Sequence, residues 1–214
     1  MPAREPLELT GPLAGNHLAI LRDATTDSPA FRRSAEVLTT LVLAAALGEL
    51  GEREIAVRTP LAETTERVPA RRITVVPILR AGLAMLSPAL TLLPDDTRVG
   101  FLGMARDEAT LRPRAYLDSL PAELGGDDVL VLDPMVATGG SALAALGALR
   151  AAGARNIGLA GIIAAPEGLA RIRGADPDVP ITVAAIDERL NKRGFIVPGL
   201  GDAGDRLYAE SAPG

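Results

Sequence analysis

No cysteine occurs in the chain, so a disulfide framework, a thiolate nucleophile and a cysteine-based zinc site are all excluded. Nothing then points to an oxidising compartment, and the cytoplasm is the expected location. His17 is the only histidine, which rules out a multi-histidine metal cluster; its expected fate is packing or surface, and no role is assigned to it. Aromatic side chains are equally scarce: Phe31, Phe101, Tyr116, Phe195 and Tyr208 are too few and too dispersed for a base-stacking platform. Long apolar runs are missing, since the early stretch "LVLAAAL" is far too short to cross a bilayer. The opening "MPAREPLELTGPLAG" lacks a basic segment followed by an apolar one, so neither export nor membrane insertion is expected. Positive charge is in deficit too, with 22 basic residues against 27 acidic ones and a net charge of -5. That balance disfavours broad binding to nucleic-acid phosphates, so any anion site must be local and no nucleic-acid partner is expected.

What is present is hydrocarbon: 48% of 214 residues are hydrophobic, enough for one globular domain spanning 1–214. The runs "RITVVPIL", "RVGFLGM", "DVLVLD", "NIGLAGIIAA" and "ITVAAID" are continuously apolar rather than alternating, as strands covered on both faces should be. Segments of helical pattern lie between most of them ("AGLAMLSPALTLL", "SALAALGALRAAG", "EGLARIRG"), which predicts an α/β fold with a mostly parallel five-stranded sheet flanked by helices. The first helix is expected from Ser28 as cap and Pro29 at its first position, with Phe31, Ala35, Leu38, Val42 and Ala45 on one face. Residues 107–124 are polar, carry two prolines and read as a long excursion or small hairpin, an uncommon length unless functional. The glycine-dense stretch after Asp187 reads as loop.

The stretch "VLVLDPMVATGGSALAALGALRAAG" places an acid, Asp133, at the end of a buried strand and a small-residue turn at the start of a helix. In an open α/β sheet, ligands bind outside the carboxyl ends of the strands. The glycines leave room for an anion, and the helix start offers unpaired N–H groups and the positive end of a dipole. Thr138 and Ser141 add hydroxyl donors, and Asp133, which would repel a phosphate, suits ribose hydroxyls or magnesium. A phosphorylated sugar is the chemistry implied. The turn is neither a Walker loop nor a dinucleotide fingerprint, because the residues those motifs require are absent.

Those residues carry a resemblance: "DPMVATGGS" looks like the phosphoribosyl pyrophosphate (PRPP) loop of uracil phosphoribosyltransferases, whose single-acid Asp-Pro pair differs from the two acids of many type I phosphoribosyltransferases. "ITVVPILRAGLAM", "GMARDEATLRP" and "GFIVPGLGDAGDRLY" extend the likeness from about Arg71 to Tyr208. The resemblance implies a type I phosphoribosyltransferase fold with a flexible lid near 105–124 and a base-binding hood near 187–208. It implies PRPP binding by Arg80, Arg106, Asp133, Pro134, Met135, Val136, Ala137, Thr138, Gly139, Gly140, Ser141 and Asp202. Uracil contact falls to Ile196, Gly201, Asp202 and Ala203, and catalytic roles fall to Arg106 and Asp202.

Glycine-rich backbone suits that last task, because uracil is flat and neutral and its acceptor-donor-acceptor edge can be met by main-chain groups. The implied reaction is transfer of 5-phosphoribose from PRPP to uracil, with Mg²⁺ entering bound to PRPP. Homo-oligomers, as dimers or tetramers, and GTP as an effector are also implied. The family's motif has a tyrosine where Ala105 stands and acids where Ala109 and Arg112 stand, so this lid is expected to differ chemically. Two rivals share the pocket: a non-catalytic regulator that senses uridine nucleotides, and a phosphoribosyltransferase for another nucleobase.

Overall fold

In the computed structural model, residues 4–106 and 113–208 are described, with side chains omitted at 105, 106 and 113–115. The chain runs β1 (Leu7–Glu8), α1 (Pro12–Arg22), α2 (Ser28–Leu47), β2 (Glu52–Arg58), β3 (Glu63–Pro69) and β4 (Ile73–Leu79). A 3-10 turn (Ala81–Met85) leads into α3 (Leu86–Leu92), β5 (Arg98–Val99), β6 (Phe101–Arg106), β7 (Pro113–Ser119), β8 (Asp128–Leu132), β9 (Met135–Val136) and α4 (Gly140–Ala151). The remainder is β10 (Asn156–Ala164), α5 (Pro166–Ala175), β11 (Ile181–Ile186), β12 (Arg189–Leu190), β13 (Ile196–Val197) and α6 (Ala203–Tyr208).

The main sheet follows the order β1-β11-β10-β8-β4-β6-β7. The five expected strands form its body as β11-β10-β8-β4-β6, all parallel. The sheet has nine strands rather than five: β1 extends one edge, β7 adds an antiparallel neighbour to β6, and the two-residue β5 and β9 pair with β4 and β10. These additions are too short, or in β7 too polar, to register as apolar runs. The continuous apolar pattern of the central strands has the expected cause, because both faces are covered. Ile73, Val75, Leu130, Leu132 and Ile162 pack in one core with α2, whereas Val76, Val129, Val131, Ile157 and Leu159 pack in a second with α4 and α5.

Four local expectations are corrected. An earlier helix, α1, precedes the expected first one; it has Gly15 and Asn16 in its middle and is held by burial of Ala14 and Leu21. The cap of α2 is Asp27 rather than Ser28, its carboxylate accepting the Ala30 N–H at 2.7 Å, and the buried stripe is Phe31, Ala35, Leu38 and Val42. The β2–β3 hairpin leaves little pattern in the sequence, because it is largely exposed and half-buries only Ile55, Val57, Val68 and Pro69. The stretch after Asp187 is not simply loop: β12 and β13 pair antiparallel and α6 follows. Of the expected lid, residues 113–119 form β7 against β6, while 107–112 lie outside the described residues.

At the amino-terminal edge of the sheet, the buried Asp127 carboxylate accepts from Thr74 Oγ1 at 2.6 Å and from Arg98 Nη2 and Nε at 2.6 and 3.0 Å. Arg98 also donates to the Ala122 carbonyl at 2.8 Å, tying the segment before β8 to the sheet. Arg98→Ala strands that carboxylate and should lower the unfolding free energy by about 3 kcal/mol, read from the urea midpoint. A loss below about 1 kcal/mol would mean that Arg72, 3.8 Å away, takes over the charge.

Candidate active site

The parallel strands β4, β6 and β8 all end at one edge, at Leu79, Arg106 and Leu132, so the loops that follow them converge there. β4 runs to Leu79, which puts Arg80 directly at the edge, exposed. A Cβ on Gly82 would lie 2.5 Å from the Leu132 carbonyl oxygen. No side chain fits that gap, and its absence lets the Arg80 loop touch the strand end that carries Asp133. The Leu79–Arg80 peptide is cis.

The turn after Asp133 is built the same way. Gly139 caps α4 with φ +72°, a left-handed conformation that favours glycine, and a Cβ on Gly168 of α5 would meet the Ala137 carbonyl at 2.2 Å. No side chain caps α4, and its Leu143 N–H bonds back to the Gly139 carbonyl. The N–H groups of the first turn therefore face outward without helical acceptors, next to the half-buried Thr138 and Ser141. Pro134 and Val136 are buried and act as anchors: the Pro134 carbonyl accepts from the Ile162 and Ile163 N–H groups, and the Val136 carbonyl from Ala165.

Asp133 is the electrostatic anomaly of this edge. Burial pushes its carboxyl up to about 7, opposed only by a hydrogen bond from the Met135 N–H at 3.3 Å. A carboxyl shifted this far, at the end of a strand where loops converge, is a candidate functional group. Among the described residues, no group of three or more His, Cys, Asp and Glu side chains could hold a metal ion alone.

The carboxy-terminal hood reaches the same place. Ile196, Leu200 and Ala203 belong to one apolar cluster with Ala81 and Ala84 of the arginine loop and Met135 and Ala137 of the phosphate turn. Ile196 is buried as a whole residue, with Gly199 packed over its carbonyl. Gly201 (φ +81°) and Asp202 are exposed, and Asp202 Oδ1 accepts the Asp205 N–H at 3.0 Å, capping α6. Ala84 of the arginine loop, Pro134 and Met135 of the turn, and Leu200 and Ala203 of the hood line one small apolar gap, which brings these three segments together. Arg106 ends β6 about 10 Å past the level of Leu79, three residues further along the register. Ala109 and Arg112 lie outside the described residues. His17 is on α1, half-buried, with Nδ1 3.3 Å from Ser34 Oγ, far in the chain from these loops and consistent with packing.

Sequence reasoning missed the residues that hold the hood. Arg206 lies over the Phe31 ring at 4.3 Å from its centroid and donates to the Leu200 and Asp23 carbonyls at 2.9 and 2.7 Å. Arg22 and Asp187 grip Gly199. No local pattern marks such residues, since their partners are up to 185 positions away. Cavity size does not mark the site either: a cavity of about 550 Å³ opens at the opposite, amino-terminal edge, beside Arg71, Asp128 and Arg155, and none of the expected binding residues lines it.

A family model described as uracil phosphoribosyltransferase matches residues 9–209. The chain is 50% identical over 197 residues to a uracil phosphoribosyltransferase of Roseiflexus castenholzii, covering 92% of this chain and 94% of that protein. It is likewise 50% identical over 201 residues to one of Kineococcus radiotolerans, at 92% and 95% coverage. Among solved structures, the AQ2163 protein from Aquifex aeolicus superposes with a TM-score of 0.89 at 40% identity, covering 96% of this chain and 98% of that one. A hypoxanthine-guanine phosphoribosyltransferase from Bacillus anthracis shares the fold at a TM-score of 0.53 and 11% identity, over 75% of this chain and 80% of that one.

The chain is an enzyme of the phosphoribosyltransferase class. Within it, the chain belongs to the uracil phosphoribosyltransferase family.

The raised Asp133 pKa has a consequence for stability. Below about pH 4 the carboxyl is protonated in both folded and unfolded chains and costs nothing. As pH rises to about 7, the unfolded chain alone releases the proton, so the group lowers stability progressively, and the penalty is constant above that. Asp133→Asn should therefore melt above the parent at pH 8, with the gap closing toward pH 4. A pH-independent gap in melting temperature would show that the carboxyl is not held protonated.

Proposed function

We propose that this chain transfers 5-phosphoribose from PRPP to uracil, releasing pyrophosphate and forming UMP, a pyrimidine-salvage reaction. The observation that carries the reading is that Ala84 of the arginine loop, Pro134 and Met135 of the turn and Leu200 and Ala203 of the hood line one small apolar gap, so the three segments meet at one edge. In this reading the amides of residues 138–141 grip the 5-phosphate, as a helix start does. Asp133 accepts hydrogen bonds from ribose hydroxyls, which would draw its pKa back down. Arg80 takes the pyrophosphate, and Arg106 meets PRPP from the lid side. Charge on the departing pyrophosphate is offset by these arginines as oxocarbenium character develops at the anomeric carbon. The remaining acceleration comes from positioning.

Magnesium brought in by PRPP fits the donor chemistry, because Asp133 and Asp202 are single carboxylates and no cluster among the described residues could hold a metal ion by itself. When bound with PRPP it would neutralise diphosphate charge. Uracil must lose a ring proton, and Asp202 is the proposed acceptor; its Oδ1 bond to the Asp205 N–H fixes where the carboxylate stands. Homo-oligomeric assembly as dimers or tetramers, activation by GTP and a cytoplasmic location belong to the same proposal and rest on the family resemblance. No helix among the described residues is long and apolar enough to cross a membrane.

Incubation with PRPP, Mg²⁺ and a panel of bases should give UMP from uracil and little nucleotide from the others; product from a purine instead would overturn the substrate assignment. Asp202→Asn keeps an oxygen to cap α6 but removes the basic charge, so kcat should fall about 10²-fold with the melting temperature nearly unchanged. An unaltered kcat would remove Asp202 from the chemistry. Adding GTP should raise the initial rate, and an unchanged rate across GTP concentrations would discard that effector.

A further inference from the structure

The hood contains a peptide held from both sides by a pair of charges, Arg22 and Asp187, neither of which is among the residues assigned to substrate. Arg22 is the last residue of α1, and Asp187 follows the end of β11 with its side chain 3% exposed. They form a two-point ion pair, Nη2 to Oδ1 at 2.5 Å and Nη1 to Oδ2 at 2.9 Å. The same groups reach one residue of the hood: Gly199 N–H donates to Asp187 Oδ2 at 2.8 Å, and the Gly199 carbonyl accepts from Arg22 Nη1 at 3.0 Å. Asp187 is itself fixed to the sheet, its N–H bonding the Ala164 carbonyl at 2.8 Å, and Glu188 N–H bonds the Val197 carbonyl at 3.1 Å. Gly199 has φ +65° and sits so close over Ile196 that a Cβ would lie 2.2 Å from the Ile196 carbonyl.

We infer that Arg22 and Asp187 are positioning residues for base recognition, fixing the Gly199 backbone and thereby the main-chain groups between Ile196 and Ala203 that a pyrimidine edge must meet. The inference deepens the proposed uracil transfer and rests on it. Three features favour this role over mere stability. A buried ion pair is a weak source of stability, because desolvation offsets most of its attraction, and apolar packing would join α1 to the sheet as well. What the pair adds is direction, since a planar guanidinium and a carboxylate hold a peptide in one orientation as hydrocarbon cannot. Finally, main-chain recognition of a small flat base tolerates little displacement, since the reading groups have no rotamers with which to readjust. None of the pair's side-chain bonds reaches the Arg80 loop or residues 133–141, and Asp202 has a separate anchor in the Asp205 N–H, so loosening the pair should be felt by uracil far more than by PRPP.

The test is steady-state kinetics of Arg22→Lys and Asp187→Asn in the full chain, varying uracil and PRPP separately. A lysine ammonium keeps the charge but cannot span two carboxylate oxygens and a carbonyl in one plane. The expected result is a rise in KM for uracil of about tenfold, equivalent to about 1.4 kcal/mol, with KM for PRPP within about twofold of the parent. Asp187→Asn retains an acceptor for the Gly199 N–H and should show a smaller rise in the same direction. If Asp187→Asn does not fold, the lysine variant decides alone, because it leaves the buried carboxylate paired. An active parent whose lysine variant keeps its KM for uracil, or raises both KM values equally, overturns this inference alone. A parent that forms no UMP overturns the proposed activity and this inference together.

Discussion

At the carboxyl edge of the sheet, the backbone of Gly82 rests against the carbonyl of Leu132 with no room for a side chain between them, and the organisation of the site follows from that contact. Because the loop after β4 touches the last residue of β8, Arg80 and Asp133 stand at the same edge of the sheet. Because Gly168 of α5 approaches Ala137 just as closely, the turn leading into α4 is pressed into place from the other side. These are backbone-to-backbone contacts, which bend far less readily than side chains do. A loop that must offer N–H groups to an anion gains from such rigidity, since the amides are already oriented when the ligand arrives.

The same packing creates the tension at Asp133. The carboxyl lies at the end of a strand buried on both faces, and the Met135 N–H is too distant a donor to offset the loss of water, so the ionised form is disfavoured until the pH reaches about 7. The fold bears that penalty where a ligand bearing hydroxyls or a cation would relieve it. The hood shows a related pattern, with charges placed in partly buried positions to direct backbone: Arg22 with Asp187 at Gly199, and Arg206 at Leu200 and Asp23. At the amino-terminal edge, Arg98, Asp127 and Thr74 make a comparable network with no bearing on the site, so a buried ion pair by itself does not mark function.

The sequence by itself determined the sheet and the phosphate turn, because both are local. Continuous Val, Ile and Leu over five to nine residues can only be a strand covered on both faces or a buried helix, and the helical segments between such runs select the first. Asp133 followed by Thr138-Gly139-Gly140-Ser141 reads as a strand end, a turn and a helix start, because chain connectivity alone makes them neighbours. The hairpin β2–β3, the helix α1 and the Asp27 cap were harder to read, since exposed alternation and weak amphipathicity leave little pattern. Only the tertiary structure decided that Arg22 of the first helix meets Asp187 and Gly199, that Arg206 lies on Phe31, and that Asp133 is held near neutral. Those facts depend on distances between residues far apart in the chain and on how much water the packing excludes, and a linear sequence encodes neither until the sheet has closed around them.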